Sequence, residues 1–338
     1  MARLSDVAER AAVSTSVVSR VLRGDAALRV RDDTRARVLQ AAEELGYTQN
    51  HAGRALRLRR SGVIAMLVPD VNNAIFAEMA RGVEEGAGEA DLLVLLGRSQ
   101  WLEGRSGIAA RLRQQGRIDG FVVQVRDEAL PGAIEGMLPP GTPLVLVNTH
   151  LRSGPSSVAV DDEAAGAEAT RLLVGIGHRA VGLVGGLPAT STARKREAGY
   201  RRALAEAGVR RREGWTTRLG YTPLSGREAL RRLAEGVELP SALVVANLNA
   251  ALGVLSAAAD IGVAVPEQLS VVAIHDTWVG EHVTPALTTV RVPTYELGLE
   301  AARALWRAMG GGGREHLVVS VPAPIVVLRR SHAPGPFA

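Results

Sequence analysis

From Ser61 onward, short apolar runs alternate along the chain with amphipathic stretches. The apolar runs are rich in Val, Ile and Leu, which is typical of strands buried on both faces of a parallel sheet. They are Val63–Val68, 92–96, 118–123, Leu144–Val147, 181–184, Ala242–Val245 and 271–274. Between them, helical spacing of apolar residues predicts helices over Ile75–Gly88, 106–115, Asp162–Gly175, 192–207 and 225–235. This alternation predicts α/β sheets with helices on both sides.

The length of the chain allows more than one domain. With 338 residues and roughly 150 residues per domain, about two domains are expected, each able to bury its own core. The strand and helix units fall into two groups, which predicts two similar Rossmann-like lobes rather than one sheet. Residues 331–338 are rich in Pro and Gly, and we expect a flexible tail there.

Residues 1–60 have a different pattern, without the alternation that indicates strands. Ser5 and Ser14 are suitable N-caps for two short helices, the second of which covers Thr15–Leu22. Asp32 or Asp33 can open a third helix, because a carboxylate suits the positive end of the helix dipole. The sequence therefore predicts an all-helical N-terminal unit.

The positive charge of the chain is concentrated in this N-terminal unit. Residues 1–60 hold 12 arginines and 7 acidic residues, whereas the other 278 residues hold 28 basic and 28 acidic ones. The whole net charge of +5 therefore lies in the first sixth of the chain. That asymmetry is expected of a nucleic-acid-binding unit on a neutral body, although charge alone fits a solvated arginine-rich face equally well.

The first two predicted helices have the pattern of a helix-turn-helix. Apolar side chains that let the helices pack across a tight turn are Leu4, Ala8, Val13, Val18 and Val21. Polar side chains on the outward face of the second helix are Thr15, Ser16, Ser19, Arg20 and Arg23. Arginine can pair with guanine through two hydrogen bonds, and hydroxyls can bond bases or phosphates. The pattern alone also fits any helical hairpin.

Several classes of protein are excluded or disfavoured by composition. The chain has no cysteine, so disulfides, thiolate metal sites and cysteine nucleophiles are absent. Asp6 and Glu9 interrupt the N-terminus, which does not resemble a secretory signal. The longest apolar stretch, 241–259, contains Asn247 and Asn249 and predicts a strand, a loop and a buried helix rather than a membrane span. We expect a cytoplasmic protein that does not bind membranes.

No catalytic or metal-binding pattern is found in the sequence. The HExxH, Walker and G-x-S-x-G motifs are missing, and the seven histidines lack metal-ligand spacing. The acidic run of Asp161, Asp162 and Glu163 is explained more simply by a helix cap with one ligand contact. We therefore expect no enzymatic activity, no cofactor and no metal site.

Several motifs in order resemble the LacI/GalR, or lactose-repressor-type, family of bacterial transcriptional regulators. They include LSDVAERAAVSTSVVSRVLRG, TRARVLQAAEELGYTQN, VIAMLVPDVNNAIF, REAGYRRALAEAG, VPEQLSVVAIHD and PALTTVRVP. The resemblance implies a helix-turn-helix headpiece at 1–48, a hinge helix and linker at 49–60, and a periplasmic-binding-protein-like (type I) body at 61–330. Lobe 1 would comprise 61–160 and 292–320, and lobe 2 would comprise 161–291 and 321–330.

The same resemblance implies which residues contact DNA. The helix Thr15–Leu22 would enter the major groove, with Thr15, Ser16 and Arg20 as base readers. The hinge helix would lie in the minor groove, with Leu56 as an apolar wedge between base pairs. The other implied DNA-binding residues are Ser5, Ser14, Ser19, Arg23, Asn50 and Arg54. Ala12 stands where the family often has a turn glycine, which costs ~1 kcal/mol if the backbone there is left-handed.

An effector site between the lobes is also implied by the resemblance. Matching positions are Asn73, Phe76, Asn148, Asp161, Arg196, Tyr221, Asn247 and His275. Arg196 could clamp a pair of hydroxyls or a carboxylate, or it could be an exposed helix arginine. Leu248 and His275 replace acidic residues common in the family, so the site is expected either to recognise something other than simple sugars or to bind its ligand weakly.

We therefore predict a dimeric, sequence-specific repressor that binds a palindromic operator in double-stranded DNA under the control of a small-molecule effector. The effector would be a sugar or a related metabolite. The alternative is a small-molecule-binding protein of the periplasmic-binding-protein type whose headpiece no longer reads DNA. An enzyme that uses the cleft is a third and weaker hypothesis.

Overall fold

The computed structural model describes residues 2–22, 25, 27–47, 60–103, 107–125, 134–149, 154–236 and 238–336. The chain divides into two compact units, Met1–Ser61 and Gly62–Ala338. Each unit has its own hydrophobic core.

The described residues of the first unit form three helices, which are α1 (Leu4–Ala11), α2 (Thr15–Leu22) and α3 (Asp32–Glu44). Small and β-branched side chains from all three helices form its core, and they are Val7, Ala8, Ala11, Val18, Val21, Val38, Ala41 and Ala42. An ion pair of 2.8 Å between Arg10 and Glu44 links α1 to α3. The all-helical character that the sequence predicts is confirmed for residues 2–22 and 27–47, and the predicted hinge helix at 49–60 lies outside the described residues except for Arg60.

The helix ends of this unit partly follow the predicted caps. The Ser14 Oγ atom accepts a hydrogen bond from the Val17 amide at 3.3 Å, as expected of an N-cap. Ser5 is not a cap, because α1 already begins at Leu4, and the Asp6 carboxylate accepts instead from the Arg3 amide at 2.8 Å. Ala12 has a φ of 53° and is therefore left-handed at the turn between α1 and α2.

The second unit is built on two six-stranded sheets. The strands of the first sheet are β1 (Val63–Val68), β2 (Leu93–Arg98), β3 (Gly120–Val123), β4 (Leu144–Val147), β5 (Ser156–Val160) and β11 (His316–Val319). Their order is β11-β5-β4-β3-β1-β2, and all of the pairings are parallel. The near-continuous apolar runs of β1, β3 and β4 match burial on both faces.

The strands of the second sheet are β6 (Val181–Gly185), β7 (Thr216–Arg218), β8 (Ala242–Val245), β9 (Ser270–Ile274), β10 (Thr288–Arg291) and β12 (Ile325–Val327). Their order is β12-β10-β9-β8-β6-β7. All of its pairings are parallel except the antiparallel pairing of β10 with β12. The chain thus enters the second sheet after β5, returns to the first for β11 and ends in the second with β12.

Helices cover both faces of each sheet. They are α4 (Ile75–Gly88), α5 (Ile108–Gln114), α6 (Ile134–Met137), α7 (Asp162–Gly175), α8 (Ser191–Glu206), α9 (Pro223–Ala234), α10 (Leu248–Asp260), α11 (Trp278–Glu281) and α12 (Thr294–Met309). The pairs that pack most extensively are α4 with α12, α7 with α8, and α9 with α10. This is the two-lobed α/β body that the sequence predicts.

Each of these three helix pairs crosses at two glycines, one from each helix. A Cβ atom on Gly82 would lie 2.0 Å from the Tyr295 carbonyl oxygen of α12, and Gly298 is equally close to α4. The same reciprocal arrangement joins Gly166 with Gly199 and Gly226 with Gly253. Because backbones approach this closely, no larger residue fits at these positions without a shift of one helix.

Two expectations need correction. The run at 92–96 is not a buried strand, because β2 is the outer strand of its sheet and Leu93 is 68% exposed. The expectation of a flexible tail does not hold for residues 331–335. Ser331 is fully buried, and its hydroxyl donates to the Val271 carbonyl at 2.6 Å. The Gly335 amide donates to the Ile176 carbonyl at 2.7 Å.

Candidate functional site

In the first unit, helix α2 has one buried face and one polar face. Val18 and Val21 pack into the core, whereas Thr15 and Ser16 are exposed. Ser19 and Arg20 are half-buried on the same polar side, since residues four apart lie one above the other on a helix. Helix α2 is therefore amphipathic, with short hydroxyls and one arginine on its polar face.

The remaining residues predicted to contact DNA lie in several places. Ser5 is exposed on α1, where its hydroxyl donates to the Asp6 carboxylate at 3.1 Å. Ser14 is exposed at the start of α2, and its oxygen is engaged as the helix cap. The predicted contacts Arg23, Asn50, Arg54 and Leu56 lie outside the described residues.

In the second unit, a cavity of about 660 Å³ lies at the carboxyl ends of the strands of both sheets. From the first sheet it is lined by residues that follow β1, β2, β3 and β4, such as Asn73, Gln100, Gln124 and Asn148. Ligand sites in open α/β sheets are usual at this edge, because the loops that leave parallel strands converge there. The residues after β7, β8 and β9 line it from the second sheet.

Of the eight predicted effector residues, seven line this cavity: Asn73, Phe76, Asn148, Arg196, Tyr221, Asn247 and His275. Asp161 is not among the lining residues. Its carboxylate accepts from the Ala164 amide at 2.9 Å and caps α7. Sequence reasoning missed Arg98, Gln100, Gln124 and Thr192, which also line the cavity. Arg98 ends β2, Gln100 and Gln124 come after β2 and β3, and Thr192 lies near the start of α8.

Arg196 is almost completely buried, at 2% exposure, and is therefore not an exposed helix arginine. Its Nε atom donates to Asp162 Oδ1 at 2.8 Å, and Nη2 lies 2.7 Å from the same oxygen. Nη1 donates to the Ala246 carbonyl, and Nη2 also lies 2.9 Å from His275 Nε2. Since all three guanidinium nitrogens have protein partners, Arg196 offers a ligand little free hydrogen-bonding capacity.

The contact with Arg196 determines which ring nitrogen of His275 carries the proton. Arginine can only donate, so Nε2 of His275 must accept and the ring proton must lie on Nδ1. Burial, together with the adjacent charge of Arg196, holds the pKa of His275 well below its usual range. The side chain is therefore neutral near neutral pH. Its Nδ1–H group has no hydrogen-bond partner within the described part of the chain.

The two lobes place left-handed residues at equivalent positions around the cavity. Asn148 follows β4 with a φ of 53°, and His275 follows β9 with a φ of 73°. Each of these strands is fourth from the outer edge strand, β2 or β7, of its own sheet. Backbone strain of this kind is concentrated at binding sites, because the surrounding structure must hold it in place.

Asn247 and Tyr221 are partly committed to the protein. Asn247 caps α10, with Oδ1 accepting from the Ala250 amide at 2.8 Å and Nδ2 donating to the Tyr221 carbonyl at 3.0 Å. The Tyr221 hydroxyl lies 3.2 Å from Thr190 Oγ1. Asp70 is the one carboxylate among the described lining residues, and it accepts from Asn72. The cavity is therefore rich in amide and hydroxyl groups and poor in acidic ones.

Comparisons with known proteins agree with both halves of this architecture. Residues 3–50 match the family described as bacterial regulatory proteins, lacI family. Residues 170–332 match a periplasmic binding protein-like domain. Catabolite control protein A of Priestia megaterium is 31% identical over 319 residues, which cover 94% of this chain and 95% of that protein.

The chain belongs to the LacI family of bacterial regulatory proteins.

Other LacI-family members are similar over most of the chain. The HTH-type transcriptional repressor PurR of Edwardsiella ictaluri is 31% identical, covering 100% of this chain and 98% of that protein. The structure of a LacI family transcriptional regulator from Mycobacterium smegmatis is 38% identical, with a TM-score of 0.75, over 80% of this chain and 99% of that one. The lac repressor dimer bound to operator and the anti-inducer ONPF has a TM-score of 0.77 at 25% identity, over 98% of this chain and 99% of that one.

Two further observations concern this LacI-family chain. The described residues contain no group of three or more His, Asp or Glu side chains placed to hold a metal ion. Within the same described ranges, no helix has the length and apolar character needed to cross a membrane.

Proposed function

We propose that this chain is a transcriptional repressor that binds a palindromic operator as a dimer and that responds to a small molecule in the cavity. The observation that carries the proposal is the presence in one LacI-family chain of a polar recognition face and of a cavity bounded by two sheets. A ligand alters operator affinity only by as much as it favours one arrangement of the lobes over the other.

For DNA binding, the roles proposed for α2 follow from its exposed face. Thr15, Ser16 and Arg20 contact base edges, and Ser14 and Ser19 contact phosphates. The basic excess of residues 1–60 supplies an affinity that is independent of sequence and falls with salt. The hinge residues Asn50, Arg54 and Leu56 stay predicted contacts.

For ligand binding, the neutral His275 has a specific consequence. An Nδ1–H group donates, whereas the acidic residue that the family often has at this position accepts. We propose that the effector presents an acceptor to His275, such as a carbonyl, a carboxylate or a ring nitrogen. Amides of Asn73, Gln124 and Asn148 complete a site that can bond both donors and acceptors.

For assembly, the outer strand β2 carries exposed leucines. Leu93, Leu95 and Leu96 are 68%, 38% and 44% exposed. A strand edge with apolar side chains is stable in solution when another surface covers it. The proposed dimer supplies that surface, as the related lac repressor structure is itself a dimer.

The test begins with selection of binding sites from random duplex DNA by the full chain. A palindromic consensus is expected, and fluorescence anisotropy then measures affinity for the consensus and for scrambled DNA. Replacing Arg20 by Ala should cost ~1–3 kcal/mol of specific binding and relax the preference at one base pair. Failure of the wild-type chain to select any sequence favours the alternative, a small-molecule-binding protein that no longer reads DNA.

A ligand is sought by thermal shift against a metabolite library, since binding to the native state raises the melting temperature. A hit is then added to the DNA-binding assay. The proposal requires that the hit change operator affinity. It also requires that a His275→Asp variant no longer bind the hit. A hit that stabilises the protein without any effect on operator binding contradicts effector control.

A further inference from the structure

A carboxylate lies against the arginine of the recognition helix. The Arg20 Nε atom donates to Asp25 Oδ2 at 2.8 Å. Asp25 comes three residues after the end of α2, and its amide donates to the Arg20 carbonyl at 3.2 Å. The two residues are therefore joined by both a backbone and a side-chain contact.

The Asp25 side chain is itself fixed. Its second carboxylate oxygen, Oδ1, accepts from the Ala27 amide at 2.9 Å, so the two oxygens have separate partners. A side chain held in this way acts as a rigid acceptor, because rotation of the carboxylate would break both hydrogen bonds. The side chains of Arg20 and Asp25 are 39% and 33% exposed, so the pair sits at the surface of the unit.

Contact through Nε leaves the other end of the guanidinium available. Nη1 and Nη2 of Arg20 have no hydrogen-bond partner among the described residues. These two nitrogens form the end of the planar fork that matches O6 and N7 of guanine. An arginine whose Nε atom is already held loses less conformational entropy when it binds a base, and its two Nη atoms point in one preferred direction.

We propose that Asp25 is a specificity-determining residue that positions Arg20 for the recognition of one base pair, most favourably a G·C pair. The inference rests on the proposed function of α2 as a DNA reader. Asp25 acts through Arg20 rather than by contact with a base. Its negative charge also opposes non-specific binding, because it lies close to where phosphates approach.

The test uses the full chain and the operator obtained by selection from random duplexes. Affinity is measured for the consensus and for a panel in which each half-site position is replaced, with wild type, Asp25→Asn, Arg20→Ala and the double variant. Arg20→Ala should reduce discrimination about 5- to 150-fold at one base pair. Asp25→Asn should reduce it about 3- to 10-fold at the same base pair.

Three further results are required. Asp25→Asn must have no added effect on base preference in the Arg20→Ala background. Its affinity for scrambled DNA must stay equal or rise, since a negative charge has been removed. The control Asp32→Asn, which removes an exposed carboxylate at the start of α3, must leave base preference unchanged. Far-UV circular dichroism verifies that each variant retains its helices.

The inference is overturned if Asp25→Asn leaves preference at the Arg20 position intact, or if it weakens all sequences equally. It is also overturned if Asp25→Asn still reduces discrimination between base pairs in the Arg20→Ala background. Selection of no sequence by the wild type would refute the proposed function together with this inference. If the wild type selects a clear consensus but Asp25→Asn leaves base preference unchanged, this inference alone is refuted.

Discussion

The buried ion pair between Arg196 and Asp162 provides the sharpest test of the structure. Both side chains are 2% exposed, and the nearest atoms are 2.7 Å apart. The other partners of the guanidinium, the Ala246 carbonyl and His275, are neutral. Replacing Asp162 by Asn keeps the shape and one acceptor but removes the only negative charge that Arg196 contacts among the described residues.

The expected cost follows from the burial of the remaining charge. Breaking a buried pair by removal of one partner typically costs ~3–5 kcal/mol, and the retained amide oxygen places Asp162→Asn near the lower end. Glu163→Gln is the matched control on the next residue of α7. Its pair with Arg202 is about half exposed, so that variant should cost less than ~1 kcal/mol.

Urea unfolding followed by tryptophan fluorescence measures these costs. All four tryptophans, Trp101, Trp215, Trp278 and Trp306, belong to the second unit, so the signal reports that unit alone. With an m value of ~3 kcal/mol per M, Asp162→Asn should lower the midpoint by about 1 M. The double variant Asp162→Leu/Arg196→Met should recover much of this loss, because no charge is then left buried.

The prediction is refuted if the free energy of unfolding of Asp162→Asn lies within ~1 kcal/mol of the wild-type value, or if Asp162→Asn destabilises the protein no more than Glu163→Gln does. It is also refuted if the apolar double variant is as unstable as Asp162→Asn. Either result would mean that water or a rearranged partner compensates Arg196, and that the guanidinium is more available to a ligand than the contacts indicate.

The remaining predictions concern two backbone positions and three histidines. Gly199→Ala should cost ~1–3 kcal/mol in the same urea assay, because its Cβ would meet the Glu163 carbonyl at 2.0 Å. Gly175→Ala on α7, with nothing within 4 Å, is its control and should not destabilise. Ala12→Gly should stabilise the first unit by ~1 kcal/mol, measured by hydrogen exchange of the Val18 amide, because Ala12 is left-handed. Ala36→Gly, within α3, should have the opposite sign. Burial lowers the pKa of His178, His275 and His332 below the ordinary 6.5, so below that pH the unfolded chain binds more protons than the native one. The free energy of unfolding should therefore fall as pH is lowered from about 7.5 to 5.5, and less so in His178→Gln.

Each of these predictions has an outcome that contradicts it. An unchanged midpoint for Gly199→Ala would mean that α7 and α8 separate at little cost. Faster exchange of Val18 in Ala12→Gly would show that the left-handed turn is not strained. Stability that rises on acidification would require that the buried histidines gain, rather than lose, proton affinity on folding.

The strands, the helices and the function class were largely determined by the sequence alone. Local periodicity suffices for an element such as β1, whose apolar run is buried on both faces, and for α2, where Val18 and Val21 alternate with polar positions at helical spacing. The resemblance to the LacI/GalR family implied that Asn148, Asn247 and His275 belong to the ligand site. The structure places each of them after a buried strand, at the edge of the sheets where the cavity lies.

Tertiary structure alone decided how those residues are used. Arg196 meets Asp162 and His275 across 34 and 79 residues of sequence, so no local pattern shows that its guanidinium is already occupied. The paired glycines of the helix crossings also lie far apart in sequence, as Gly82 and Gly298 illustrate. The composition of residues 331–335 is typical of a flexible segment, yet the Ser331 hydroxyl donates a hydrogen bond to the Val271 carbonyl. Contacts between residues distant in sequence depend on complementary shape and on the pairing of buried polar groups. The periodicity of a single segment predicts neither property.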